Sequence, residues 1–405
     1  AIVTRLRLTL YTALDRSGLA VAVFIVNMRG RGTEWSAHPA GEDVSREYDR
    51  IWALLGNRQV EELLDLAVIT DPDVLDVMDV FTEVVAPALY TDLELLALVI
   101  CRMASLSLEH GNCDASCYAY VFLGMLAGPR FGNYPAGYRF GKLGYDLVEE
   151  RGLHRYQART YMDFGTLVVP WSRHIKAGRE LQRRCFDAAN RVGDLTYAAY
   201  SCNVLITNLL AAGDPLGEVE REIDRGLEFA ANVQYGLVVD VISTQRALVR
   251  TLRGLTPRFG GFDEHGFDER EFERHLARNP RLVIAECWYW IRKLQARVLS
   301  DDAQAAVEAS LRAKQLLWTS PAFFETAEYH FYSALARAAC AGGATGDARQ
   351  QHLEALAAHQ QQQDTWARHC PQNFENRKLL VAAEMARVEG LALDAERLYE
   401  AAIRS

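Results

Sequence analysis

The chain has 405 residues, half of them hydrophobic, and its 44 basic and 53 acidic residues give a net charge of −9. A nucleic-acid-binding protein needs a basic face that displaces phosphate counterions, so this balance disfavours nucleic acid as a partner. The longest apolar run, residues 19–26, is far shorter than the roughly 20 residues of a membrane span, and no secretory signal is evident. With eight scattered cysteines, the chain is expected to be soluble and cytoplasmic, with no membrane partner.

Taken in chain order, the sequence reads as helical segments separated by turn residues. No segment alternates apolar and polar residues in the way that predicts a β-strand. Gly, Pro and Asn fall between the helical patterns rather than inside them. These breaks lie at 35–39, 111–112, 213–215, 254–280 and 320–321, with Pro135 in a first helical turn. The pattern predicts roughly fifteen to twenty antiparallel helices.

Several segments fit the tetratricopeptide pattern, in which small residues let two paired helices approach and bulky ones fill the groove. The first match is Tyr120, Leu123, Gly124, Ala136, Phe140 and Leu143; the second is Tyr161, Phe164, Gly165, Ala177 and Leu181; the last is Ala383, Gly390, Ala395, Tyr399 and Ala402. Weaker matches begin near Tyr200, Trp290 and Tyr332. The predicted fold is all-α: tetratricopeptide-like antiparallel hairpins stacked in a right-handed superhelix, an α-solenoid, with Gly124 and Gly165 at close helix crossings.

One insertion interrupts this array. Residues 254–280 are rich in Gly and Pro, and Asp268 followed by Glu271 predicts a capped short helix to about Arg278. The predicted organisation is therefore N-terminal repeats over 1–253, a loop insertion with a short helix over 254–280, and C-terminal repeats over 281–405, in one continuous solenoid. Because neither end carries a polar capping helix, we expect a segment of a longer protein.

Three motifs resemble reaction or metal sites. Asp163-Phe164-Gly165 matches a kinase triplet, but the catalytic loop and Gly-rich loop of a kinase are missing. Gly141-Lys142 lacks the preceding glycine and following hydroxyl of a phosphate loop. His110, Cys113 and Cys117 have spacing that could hold a metal, although Gly111-Asn112 breaks the helix between them. We predict no catalytic residue, no cofactor and no metal, with this last trio as the alternative.

Binding residues are predicted from the repeat register. Positions 2, 5, 9 and 12 of the first helix of a tetratricopeptide hairpin face the concave side, where solenoids hold partners. The residues at these positions are Tyr118, Val121, Arg159, Met162, Thr166 and Asn208. The aromatic clusters at 287–290 and 318–332 are expected to be mostly core, with some members turned outward.

Four segments together resemble a known kind of protein region. They are VICRMASLSLEHGNCDASCYAYVFLGML (99–126), GKLGYDLVEERGL (141–153), TYAAYSCNVLITNLLAAGD (196–214) and CWYWIRKLQAR (287–297). Their sequences resemble the helical middle region of large bacterial multidomain proteins. These proteins combine a serine/threonine kinase-like domain, a signal-transduction ATPase, a GAF domain and a sensor histidine kinase. The resemblance covers residues 6–405, except that residues 18–32 are short for a full hairpin of that family.

The resemblance implies a non-catalytic scaffold or sensory region of a two-component signalling protein. It would bind a protein partner, including its own ATPase and kinase neighbours, or a small-molecule ligand, and couple that binding to the flanking domains. The alternatives are a catalytic segment with an unrecognised active site and a purely structural spacer. A concave pocket lined by aromatics with a buried charge would favour ligand sensing, and a flat polar face would favour the spacer.

Overall fold

The computed structural model describes residues 2–14 and 16–405, apart from the side chain of Ala13. Over these residues the chain forms nineteen α-helices and no β-strand, with isolated bridges only at Val68–Asn112 and Glu264–Phe267. The prediction of an all-α protein is confirmed. Within the same residues, every helix is too short or too polar to cross a membrane.

The chain divides into two compact units, Ala1–Phe164 and Gly165–Ser405. The helices of the first unit are α1 (Ile2–Ala13), α2 (Ser17–Gly30), α3 (Gly41–Leu55), α4 (Pro72–Leu89), α5 (Leu93–His110), α6 (Asp114–Ala127), α7 (Tyr134–Arg151) and α8 (Gln157–Asp163). A 3-10 helix covers Val60–Asp65 between α3 and α4.

A π-helical turn at Phe164–Val168 follows α8, and 3-10 turns follow at Val169–Trp171 and Ile175–Gly178. The helices of the second unit are α9 (Arg179–Val192), α10 (Leu195–Ala211), α11 (Leu216–Asn232), α12 (Gly236–Leu252), α13 (Glu269–Arg278), α14 (Val283–Leu299), α15 (Ala303–Leu316), α16 (Phe324–Gly343), α17 (Gly346–His369), α18 (Pro371–Val388) and α19 (Ala392–Arg404). The boundaries predicted at 253/254 and 280/281 both fall inside this unit, and they stay predictions.

Short polar side chains start many of these helices by accepting hydrogen bonds from the first free backbone N–H groups. Asp92, Asn133 and Asp194 cap α5, α7 and α10 in this way. Asp268 accepts from the N–H of Glu271 at 2.7 Å, and the helix it opens ends at Arg278. The short helix predicted inside the insertion is thus confirmed, with its cap.

Helices pack against their sequence neighbours, most extensively in the pairs α6–α7, α14–α15, α16–α17 and α18–α19. In the second unit alternate helices also touch: α10 packs on α12, α12 on α14, α14 on α16, and α16 on α18. We call α10, α12, α14, α16 and α18 the alternate-helix row. Each of these helices therefore meets both a sequence neighbour and at least one other member of the row.

Glycines set the closest approach between helices. A Cβ at Gly124 of α6 would lie 2.5 Å from the carbonyl oxygen of Gly137 in α7, so only glycine fits there. A Cβ at Gly165 would lie 3.1 Å from the carbonyl oxygen of Gly178 and 3.0 Å from Cβ of Leu181. Both predicted close approaches are confirmed, but Gly165 lies in the π-helical turn rather than in a regular helix.

The predicted register of the second hairpin is wrong by one residue. Ala177, assigned there as the small packing residue, is exposed, whereas Gly178 is buried against Gly165. The physical reason is that α8 ends at Asp163 and irregular turns replace the regular hairpin that the pattern assumed.

Candidate binding site in the second unit

The predicted contact residues mostly lie in the core. Five of the six are buried: Tyr118, Val121, Met162, Thr166 and Asn208. Arg159 is half-buried, with its guanidinium 5.6 Å from the ring centre of Tyr156. These five side chains form no open surface, because helices such as α6 are packed on nearly every side. That they contact a ligand stays a prediction, although Asn208 has a contact of special interest, described below.

The irregular segment between α8 and α9 is the feature that the sequence did not indicate. We call residues 165–178 the strap. Its two ends meet, since a Cβ at Gly178 would collide with the carbonyl oxygen of Gly165. A loop of this length with touching ends is an Ω-loop, a structure that often has a functional role. The sequence signals for a loop here are Pro170 and the glycines Gly165 and Gly178. They did not predict a loop because the segment also fits a helical hairpin.

The strap inserts one large side chain into an aromatic recess. Trp171 is 4% exposed, and its ring lies 5.1 Å from Trp366 of α17 and 5.7 Å from Phe374 of α18, with the latter planes 9° apart. Phe324 of α16 lies 6.4 Å away. We call Phe324, Trp366 and Phe374 the aromatic seat. Burying an indole of about 200 Å² at about 25 cal/mol per Å² stabilises the strap by roughly 5 kcal/mol before entropy costs.

The indole also makes a hydrogen bond to a strained residue. Trp171 Nε1 donates to the carbonyl oxygen of Ala322 at 2.9 Å. Ala322 has φ of 62°, in the left-handed region that residues other than glycine rarely adopt. Such conformations persist only where surrounding contacts hold them, and they are frequent at ligand-binding positions.

Side-chain amides hold the backbone of the strap. Asn373 Nδ2 donates to the carbonyl oxygens of Pro170 at 2.7 Å and Arg173 at 2.9 Å, and its Oδ1 accepts from the N–H of Ile175 at 3.0 Å. Asn208 Nδ2 donates to the carbonyl oxygen of Ile175 at 2.6 Å. These contacts recognise main-chain groups, so they require no particular side chain at the positions they hold.

A buried polar network lies next to the seat. Arg292 of α14 and Glu325 of α16 are each 2% exposed, and Arg292 Nη2 lies 2.9 Å from Glu325 Oε1. Thr207 of α10 donates to the same oxygen at 2.6 Å, and Gln245 of α12 donates to Thr207 at 2.9 Å. Burial raises the pKa of Glu325, and the charge of Arg292 opposes that rise.

The network continues to the last member of the row. Arg292 donates to Gln295 at 3.1 Å, Gln295 donates to Glu328, and Arg377 of α18 donates to Glu328 at 2.5 Å. Every helix of the alternate-helix row thus contributes at least one member. Replacing a buried ion pair by apolar groups often costs little stability, so the network is not evidence of a more stable fold.

Two histidines lie behind the seat, of which His359 is buried and His330 is half-buried. His330 of α16 and His359 of α17 have their Nδ1 atoms 3.0 Å apart, and the His330 ring lies 5.3 Å from Trp366. Burial lowers the pKa of His330 to about 4, and burial with the neighbouring His330 lowers that of His359 to about 3. Both rings are therefore neutral near pH 7. Close by in the sequence of α17, Gln363 is fully buried with neither amide atom hydrogen-bonded.

In the motifs that resembled reaction or metal sites, the side chains are buried or already paired with other residues. Lys142 is paired with Asp146 at 2.6 Å, while Asp163 is buried, with Oδ2 lacking a hydrogen bond. Cys113 and Cys117 are buried thiols whose pKa burial raises. Across residues 2–14 and 16–405, the structure has no group of three or more His, Cys, Asp or Glu side chains placed to hold a metal.

A charged cavity of ≈350 Å³ lies between the insertion and α14. Its basic side chains already have acidic partners: Lys293 lies 2.6 Å from Glu269, and Arg297 lies 3.3 Å from the same carboxylate. Because these charges neutralise each other, the cavity attracts a charged ligand less strongly than its many charged side chains would suggest.

No model of a known protein family matches the chain, and no curated protein is similar to it. The resemblance to multidomain signalling proteins therefore rests on the quoted segments alone.

Proposed function

We propose that the chain is a non-catalytic, tetratricopeptide-like scaffold of a cytoplasmic signalling protein. It binds a peptide segment of a protein partner and couples that binding to flanking ATPase and kinase domains. In this proposal the hairpins stack as an α-solenoid, and the alternate-helix row is its inner layer. Neither nucleic acid nor a membrane is a partner.

The observation that carries the proposal is the way the strap is held. An aromatic recess and two asparagine side chains grip a stretch of irregular backbone, the arrangement expected of a peptide-binding site. A buried charge pair adjoins the recess: Glu325, next to Phe324 on α16, is paired with Arg292 of α14. Aromatics together with a buried charge favour a binding role over a structural spacer.

The polar network supports the coupling half of the proposal. Because its members occupy α10, α12, α14, α16 and α18, a shift of one helix changes hydrogen bonds on the next. Packed interfaces of this kind change between discrete arrangements rather than deforming smoothly. Asn208 of α10 and Asn373 of α18 both hold the strap, so binding there acts on these helices directly, and the network extends to α12 and α14, which hold no part of the strap.

An active site elsewhere in the segment is the second candidate. Its best support is Asp163, whose pKa burial raises to about 8, because strongly shifted carboxyls are frequent in active sites. Its side chain is fully enclosed, however, so a substrate has no evident route to it. The scaffold is the stronger proposal.

The test is to read the encoding gene through both sides of this segment. The proposal expects a kinase-like domain and an ATPase before the helical segment, and a GAF domain and a histidine kinase after it. A reading frame that contains the helical array without catalytic neighbours would remove the coupling role.

A further inference from the structure

We propose that the strap is a built-in occupant of a peptide-binding seat, and that a segment of a partner protein replaces it. The ligand is a peptide in tight turns that carries a tryptophan and, four residues later, an aliphatic residue. In the strap these positions are Trp171 and Ile175, which lie in two 3-10 turns and are 4% and 3% exposed. This inference rests on the proposed function and names the ligand class of the same site.

The first step is that recognition needs no covalent connection to the rest of the chain. The aromatic seat contacts one indole, whose N–H donates to the carbonyl oxygen of Ala322. Asn373 and Gln372 bond to backbone groups at positions 170 and 173–175. A separate peptide of the same sequence offers all of these groups. Between the two anchors, Ser172 and His174 are half-buried and Arg173 is exposed, so these positions tolerate variation.

The second step is that the strap can leave without unravelling an α-helix. Its ends meet at Gly165 and Gly178, and α9 begins immediately afterwards at Arg179. Arg179 is held independently by Asp214, at 2.7 Å. Opening the loop therefore changes backbone angles inside the strap, while α9 and α10 keep their mutual contacts.

The third step is that the seat keeps its shape when it is empty. Phe374 lies 5.9 Å from Phe324 and 5.4 Å from Trp366, so the three rings support one another. The guanidinium of Arg377 lies 5.1 Å from the ring centre of Phe324. A preorganised recess binds a segment at lower entropic cost than one that must first assemble.

The fourth step is that an empty seat is energetically unfavourable. Departure of the strap uncovers the aromatic rings and leaves Asn373 and Asn208 without their main-chain partners. Buried polar groups without partners are costly, so the vacated seat favours another segment that restores both the hydrogen bonds and the apolar filling.

The test uses a fluorescently labelled peptide of residues 167–177 and the full chain carrying Trp171→Ala, which empties the recess. We expect this variant to bind the peptide at least about tenfold more tightly than the unaltered chain, whose strap competes for the seat. A peptide with alanine in place of its tryptophan should lose the binding, and so should a chain that also carries Asn373→Ala. Trp318→Ala, at an exposed tryptophan outside the seat, is the matched control and should behave as the unaltered chain does.

Absence of saturable binding to a Trp171→Ala chain with normal helicity would overturn the inference. If that variant does not fold, native-state hydrogen exchange on the unaltered chain decides. The Ile175 amide should then exchange at least about tenfold faster than core amides of α16, through a local opening. Equal rates would overturn the inference. Either failure leaves the coupling role standing, because the gene's flanking domains test that role separately.

Discussion

At the scale of single residues, the carboxyl of Asp163 is in surroundings that disfavour its charged form. Its carboxyl is fully buried, Oδ2 has no hydrogen bond, and burial raises its pKa to about 8 against the opposing charge of Arg159. A carboxyl in such surroundings takes up a proton in the folded state that it releases in the unfolded chain. The residue thus reduces stability at neutral and alkaline pH.

Asp163→Asn should therefore stabilise the protein increasingly as pH rises. The carboxyl titrates near 4 in the unfolded chain and near 8 when folded, so the penalty grows between these values, by at most about 1.4 kcal/mol per pH unit. Urea unfolding at pH 5 and pH 8 measures the difference, with exposed Asp49→Asn as the control. A variant whose advantage does not grow between the two pH values would show that the carboxyl is solvated.

Residue positions in the candidate site were predictable only where local register carries the information. Asn208 was singled out from its place in a repeat, and it does contact the strap. Trp171 and Asn373 were not singled out, because their contacts join residues about 200 positions apart, as in the 2.7 Å hydrogen bond from Asn373 to Pro170. A pattern of period 3.6 shows which face of a helix is buried but not what covers it.

At the scale of helices, glycine decides how closely α6 and α7 approach. Gly124 faces Gly137 and Gly141 across the crossing, with backbone atoms where side chains would otherwise stand. Neither helix can retreat freely, because both are packed against other elements of the first unit.

Gly124→Ala should destabilise the first unit by about 1–3 kcal/mol, because its methyl group would overlap the carbonyl oxygen of Gly137. The matched control is Gly217→Ala in α11, where a methyl group meets nothing within 4 Å. That change should be neutral or stabilising by up to about 1 kcal/mol, since alanine is the better helix former. Chemical denaturation of both variants measures the contrast, and equal stabilities would mean that the crossing is looser than described.

The helices themselves were largely predictable, and the exceptions have a common cause. Helical spacing and the Asp268 cap gave the correct helix at the insertion. The hairpin expected after Tyr161 failed because a π-helical turn and two 3-10 turns follow α8. These irregular turns are held by tertiary contacts such as those of Trp171, which outweigh local preference.

At the scale of the whole molecule, the fold class follows from the absence of two-residue alternation, but the division into units does not. The break after Phe164 lies inside a segment that reads as continuous helix. The polar network of the second unit was also hidden, because each helix of the row contributes only one or two members to it. Single polar residues in apolar helices look alike until packing brings them together.

In the proposed function this segment binds and couples but performs no chemistry itself. Phosphoryl transfer needs a phosphate cradle, a carboxylate that holds magnesium and a positioned base. The two lookalikes do not supply these: Lys142 is paired with Asp146, and Asp163 is enclosed.

Incubation of the purified chain with labelled ATP and magnesium, beside an Asp163→Ala chain, tests whether the segment catalyses phosphoryl transfer. We expect neither ATP hydrolysis nor label transfer to the protein above a no-protein background in either sample. Hydrolysis or labelling that is present in the unaltered chain and lost in a folded Asp163→Ala chain would contradict it and place a reaction centre at Asp163.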